Sequence, residues 1–206
     1  MSTPTRIILL RHAEVEDKYH RIFGGRIDME ISARGREQAA ALTKHLRHIK
    51  FDAIYASPMK RVQQTLAPLL HHGTPKPTIL HDLREIDFGD WTGLTWEEVC
   101  VRHNIEPIQW LEVLDQGAVT NAEPIPAYRE RVERCLRHIT QNHPGQTVAV
   151  FCHGGVIRGL IASALGLPLA QTGSFSVEYA SVTELKIDGT RYALETLNFI
   201  PWKNGK

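Results

Sequence analysis

Ile7-Ile8-Leu9-Leu10-Arg11-His12 sets four consecutive apolar residues against an abrupt basic end. An unbroken, partly β-branched run of this length reads as a strand buried on both faces, as in a parallel sheet. Thr147-Val148-Ala149-Val150-Phe151 repeats the pattern and also ends in a histidine, at Cys152-His153. Gly154-Gly155 then opens a helix to about Leu165, which Gly166-Leu167-Pro168 stops. Between these two runs, Ser32 can cap a helix to about His48, and Phe51 to Ala56 reads as a second strand. Ser57-Pro58 reads as an N-cap followed by proline at the first helical position, with the helix reaching about Leu70, before a short strand at Thr78 to Leu80. The tail from Ser174 to Leu197 reads as strands with a turn at Asp188-Gly189. Alternating strands and helices predict a three-layer α/β/α domain, its sheet mostly parallel.

The stretch 82–142 differs in character. It holds Trp91, Trp96 and Trp110 of the four tryptophans, and its periodic segments (Thr95 to His103, Ile108 to Leu114, Pro126 to Gln141) are helical. It reads as a small helical cap inserted into a single domain spanning 1–206. The three tryptophans are expected in the core of that cap, with Trp91 close enough to Glu85 to shape a pocket.

Composition narrows the function classes. The 206 residues carry 24 basic and 23 acidic side chains, a formal net charge of +1, and are 42% hydrophobic. That balance supports a packed core and gives no general footprint for nucleic acid or an anionic membrane. Ile7 to Leu10 is far too short for a signal or a membrane span. Cys100, Cys135 and Cys152 are too few and too scattered for a disulfide framework or a zinc site. A cytoplasmic protein without a metal or cofactor is expected, and a homodimer is compatible with the sequence. His45, His48, His71 and His72 lack metal-ligand company and are expected at the surface.

In open α/β sheets, ligands bind beyond the carboxyl ends of the strands. His12, His153 and Arg11 fall at that edge, and Arg61 lies one turn into the helix that follows the second strand. Two arginines and two histidines thus converge on one spot. Guanidinium forks match the oxygens of a phosphate monoester, and the helix opening at Gly154 adds backbone donors. Nearby arginines keep a histidine neutral and nucleophilic, while a second histidine can donate a hydrogen bond. The leaving oxygen needs a proton, for which Glu85 and Asp87 both compete.

On these residues the chain resembles the histidine phosphatase superfamily, also called phosphoglycerate mutase-like. The resemblance rests on Arg11-His12-Ala13-Glu14 with Asp28, Ile31-Ser32, Gly35 and Gln38-Ala39. It continues through Ser57-Pro58-Met59-Lys60-Arg61-Val62-Gln63-Gln64-Thr65, Leu83 to Gly93, and His153-Gly154-Gly155. It implies that His12 is the nucleophile, that Arg11, Arg61 and His153 clamp the phosphate, that Glu85 donates the proton, and that no metal takes part. By position it also brings Lys18, Gly24, Gly25 and Gly154 against the substrate. Lys18 stands where the family has Asn, Gly24 where it often has Ser or Thr, and Asn121-Ala122-Glu123-Pro124 where its cap reads Gly-Gly-Glu-Ser. Leu83 to Gly93 resembles the phosphatases, α-ribazole phosphatases among them, more than the mutases. The implied activity is hydrolysis of a small phosphomonoester. A mutase-type transfer, with Arg102 as a candidate for a substrate carboxylate, and a non-catalytic phosphate-binding module are the alternatives.

Overall fold

The fold is that of a computed structural model, which describes residues 3–70 and 73–203. His71 and His72, expected at the surface, lie outside the described residues. His45 and His48 are exposed, as expected.

Six strands form one sheet in the order β3-β2-β4-β1-β5-β6. They are β1 (Thr5–Arg11), β2 (Ala53–Ala56), β3 (Thr78–Ile79), β4 (Thr147–Cys152), β5 (Val182–Asp188) and β6 (Arg191–Phe199). The first four run parallel, and β5 and β6 add an antiparallel edge beside β1. Successive strand side chains point to opposite faces. Ile7, Leu9, Val148 and Val150 therefore enter one core layer, and Ile8, Leu10, Ala149 and Phe151 the other.

Helices α1 (Ala33–Leu46) and α2 (Lys60–Leu66) cover the second face, through Ala39, Leu42 and Leu46 and through Val62 and Leu66. The hydroxyl of Ser32 caps α1 by accepting the Gly35 N–H, as the sequence indicates. Helices α5 (Ile125–Asn142) and α6 (Gly154–Leu165) cover the first face. The Tyr128 hydroxyl of α5 donates to the Gly155 carbonyl of α6 at 2.7 Å. Gly159 admits that ring, since a Cβ there would stand 2.3 Å from the hydroxyl oxygen.

The stretch 82–142 has no strand among its described residues. Its helices are α3 (Trp96–His103), started by a Thr95–Glu98 capping box, α4 (Trp110–Asp115), and α5. Among the described residues no helix is long and apolar enough to cross a membrane.

Two local readings need correction. Helix α2 begins at Lys60 with Met59 as its N-cap. The Ser57 hydroxyl is engaged instead by the buried His153, 2.8 Å away, and Asp28 accepts the Lys60 N–H. The helix also ends early, tightening into a 3-10 turn at Ala67–Leu69 that contains Pro68. In the tail, Leu169–Ser174 is a 3-10 helix and the strands start only at Val182. The intervening loop is held at the end of β1, where the Val177 carbonyl accepts from Arg11.

Candidate active site

The register between β1 and β4 pairs Arg11 with Cys152, which brings the following residues, His12 and His153, side by side at the carboxyl edge. The His12 N–H still bonds the Cys152 carbonyl at 3.0 Å, and the two imidazole centroids are 5.3 Å apart. His12 Nδ1 lies 2.8 Å from the Ala13 carbonyl. A carbonyl only accepts, so Nδ1 carries the proton and Nε2 presents a lone pair. Arg61 Nε donates to that lone pair at 3.3 Å. Burial, then the charges of Arg61 and Arg11, push the pKa of His12 well below its usual value. The imidazole is thus neutral and aimed through Nε2.

Arg61 is itself buried. Its other two nitrogens donate to the carbonyls of Ile27 and Gly25, at 2.8 and 2.9 Å. Burial lowers its pKa to about 10, which leaves it charged at neutral pH. Arg11 donates to the Val177 carbonyl and lies 4.2 Å from the centroid of the Tyr179 ring. His153 is fully buried, with Nε2 on the Ser57 hydroxyl. Burial and then Arg61 lower its pKa as well. Arg11 Nε and His153 Nδ1 are buried and have no hydrogen-bond partner among the described residues.

Glu85 faces this group across the cavity. Its carboxylate accepts the Ile86 N–H at 3.0 Å and the Gly155 N–H at 3.1 Å. A Cβ on Gly155 would stand 2.4 Å from that carboxylate, so glycine is what lets Glu85 sit on the start of α6. Its backbone is held by Arg131, whose guanidinium donates to the carbonyls of Asp82, Arg84 and Glu85 and is paired with Glu123 at 2.6 Å. Glu123 in the altered cap segment thus holds the Glu85 segment through Arg131. Asp87, the competing acid, instead accepts the Gly89 N–H and lies 3.7 Å from Arg26.

Arg11, His12, Gly24, Gly25, Arg61, Glu85 and Gly154 line one cavity of about 130 Å³, with His153 immediately behind. Lys18 does not. Its ammonium is exposed, 3.4 Å from Glu16 and over the Tyr19 ring, because its short 3-10 turn points the side chain to solvent. Arg102 is also exposed and off the cavity. Of the tryptophans, Trp91 and Trp110 are in the core and Trp96 packs against it, as expected; but Trp91, bonded to His103, does not line the cavity it was expected to shape, whereas Trp96 and Trp110 do. Tyr179 and Arg158 are further lining residues that the sequence reading missed. Arg158, one turn into α6, was open to detection by that spacing. Tyr179 sits in an irregular loop and carries no local signal. Among the described residues, no group of three or more His, Cys, Asp or Glu side chains is placed to hold a metal ion.

The remaining shared residues brace the loop after His12. Gln38 accepts the Glu14 N–H, Thr65 the Ala13 N–H, and Gln64 the Ile31 N–H, all within 2.9 Å. A Cβ on Gly35 would meet the Glu14 carbonyl at 2.2 Å. The model of the histidine phosphatase superfamily (branch 1) matches residues 7–200. The chain belongs to that superfamily. Within the superfamily it is 29% identical over 193 residues to phosphoserine phosphatase 1 of Hydrogenobacter thermophilus, covering 94% of this chain and 92% of that one. It is 28% identical to the adenosylcobalamin/α-ribazole phosphatase of Escherichia coli, covering 94% and 95%. Among solved structures, a putative α-ribazole-5'-P phosphatase from Escherichia coli superposes with a TM-score of 0.81 at 28% identity, covering 95% and 96% of the two chains. The family and its phosphatase-named members support phosphatase activity for this chain.

Proposed function

We propose that this histidine phosphatase hydrolyses a small phosphomonoester through a phosphohistidine on His12, with Glu85 as general acid and base. The observation that carries this reading is the fixed tautomer of His12: Nδ1 is held by the Ala13 carbonyl, and Nε2 is unprotonated, its lone pair turned toward the Arg61 guanidinium. Nε2 attacks phosphorus, the bond to the leaving oxygen breaks, and protonated Glu85 supplies the proton to that oxygen. Water then attacks the phosphohistidine, Glu85 takes a proton from it, and the electron pair of the broken P–N bond returns to Nε2. Arg11, Arg61 and the unpartnered Nδ1 of His153 face the charge that builds on the transferring group. No step calls for a metal ion or an organic cofactor. Hydrolysis is favoured over mutase-type transfer because Arg102, the candidate for holding a substrate carboxylate, is exposed and off the cavity. The free thiols of Cys100, Cys135 and Cys152 suit a reducing, cytoplasmic setting.

Rapid alkaline quenching during turnover of p-nitrophenyl phosphate, followed by peptide mapping, tests the intermediate. An acid-labile phosphoryl group is expected on the peptide that contains His12. A phosphoryl group on any other residue would overturn the scheme.

A further inference from the structure

Resting on the phosphatase reading, we propose that the side of the cavity away from the sheet is a leaving-group subsite for a flat, uncharged apolar moiety, built from Tyr19, Ile22, Phe23, Trp96 and Trp110. These residues line the same cavity as His12. Phe23 and Trp110 are buried behind, while Tyr19, Ile22 and Trp96 are half-buried at the mouth. The rings of Phe23, Trp96 and Trp110 form a continuous wall: Phe23 to Trp96 is 4.4 Å between centroids, and Trp96 to Trp110 is 5.6 Å at 89°. A flat group entering beside the phosphoryl centre meets ring faces and edges.

The charges near the cavity point the same way. Arg11, His12, Arg61 and Glu85 serve the phosphoryl group. Arg158 lines the cavity too, but its Nε, Nη1 and Nη2 already donate to the carbonyls of Thr172, Gly154 and Phe175, at 3.2, 3.2 and 2.8 Å. Arg21 is paired with Glu97, and Arg26 with Asp87 and Glu123. Among the described residues no lysine lines the cavity, and Glu85 is its sole carboxylate. A leaving group bearing an ammonium would find no carboxylate besides Glu85, and one bearing a carboxylate would find at most the two N–H of Arg158 not spent on backbone carbonyls, so either gives up hydration for little in return. The wall is also fixed. Phe23 N–H bonds the Leu94 carbonyl at 2.8 Å, Gly93 N–H the Phe23 carbonyl at 3.0 Å, and Trp96 N–H the Arg21 carbonyl at 2.9 Å. These bonds zip the loop after His12 to the start of α3, so the rings hold their places without a ligand.

Four alkyl phosphates test the subsite, because none gains from an acidic leaving group: benzyl phosphate, ethyl phosphate, O-phospho-L-serine and 3-phosphoglycerate. The expected kcat/KM for benzyl phosphate exceeds that for ethyl phosphate by about 10-fold or more, chiefly through KM, with the two charged substrates at or below ethyl phosphate. Trp96→Ala is expected to lower the benzyl-to-ethyl ratio by about 10-fold, and the ratio is insensitive to how much of the variant folds. A charged substrate outrunning benzyl phosphate, or an unchanged ratio in Trp96→Ala, would overturn the subsite and leave the phosphatase reading intact. Failure to hydrolyse any of the four would overturn the phosphatase reading, and the subsite with it.

Discussion

On the sheet side of the cavity, each working group is aimed by a hydrogen bond from outside its own strand or helix. Arg61 is pinned by the carbonyls of Gly25 and Ile27, His153 by Ser57, and Glu85 by the N–H of Gly155. On the cap side, the wall is held by ring packing and by backbone bonds, and none of its side chains is charged. Buried charged groups lose their orientation when one partner goes, so the first wall fails steeply. Apolar contacts add in small increments, so the second is graded. In the proposed scheme, chemistry is thereby separated from recognition within one cavity. Substitutions on the sheet side should strike kcat on every substrate, and those on the cap side should redistribute KM among substrates.

The largest effect is expected from His12→Ala. Steady-state turnover of p-nitrophenyl phosphate should fall by about 10⁴-fold or more, since the covalent route is removed. Substantial residual activity would place the nucleophile elsewhere and break the contrast at its root. Glu85→Gln should come next, with kcat on an alkyl phosphate falling by about 10²-fold or more and markedly less on an aryl phosphate, whose leaving group needs little proton assistance. Equal losses on both would assign Glu85 to the water step or to positioning.

A smaller, graded effect concerns pH. His12 and His153 are both held well below their ordinary value of 6.5 by burial, so the folded protein keeps them neutral where the unfolded chain protonates them. Their contribution to stability is complete above that value and is lost as pH falls toward the folded-state pKa values. Each histidine protonated only in the unfolded chain contributes about 1.4 kcal/mol per pH unit to that slope. Thermal denaturation across this range should show the melting temperature falling with acid, and less steeply in His12→Gln. A flat profile would mean that the sheet-side wall tolerates charged imidazoles. The smallest effect belongs to Lys18→Ala, expected to leave kcat/KM within about 2-fold, as for an exposed charge that does not itself line the cavity. A large loss would mean that the 17–19 turn closes on the substrate.

The same two walls differ in how well they could be read from sequence. His12, Arg11, Arg61 and His153 were legible because each sits at a fixed offset from a strand end, and strand ends in such a sheet converge on one edge. Glu85 was legible down to a choice with Asp87, which the Gly155 contact resolves in position. The cap wall was not legible. Tryptophans at helical spacing look alike whether they face a core or a cavity, and Phe23 is brought against Trp96 by backbone bonds between segments about 70 residues apart. Ser57 was read as a helix cap because its need for a hydroxyl comes from His153, a residue far along the chain. Lys18 failed for the opposite reason: its position in the family pattern was informative, but a single turn of 3-10 helix decides where an exposed side chain points.

The stereochemical course at phosphorus tests the central claim most directly. A phosphomonoester made chiral at phosphorus with oxygen isotopes would be turned over in the presence of an acceptor alcohol, and the configuration of the transferred group determined. Two in-line displacements, first by His12 Nε2 and then by the acceptor, predict overall retention. Inversion would show a single direct displacement and would contradict a phosphohistidine intermediate on His12.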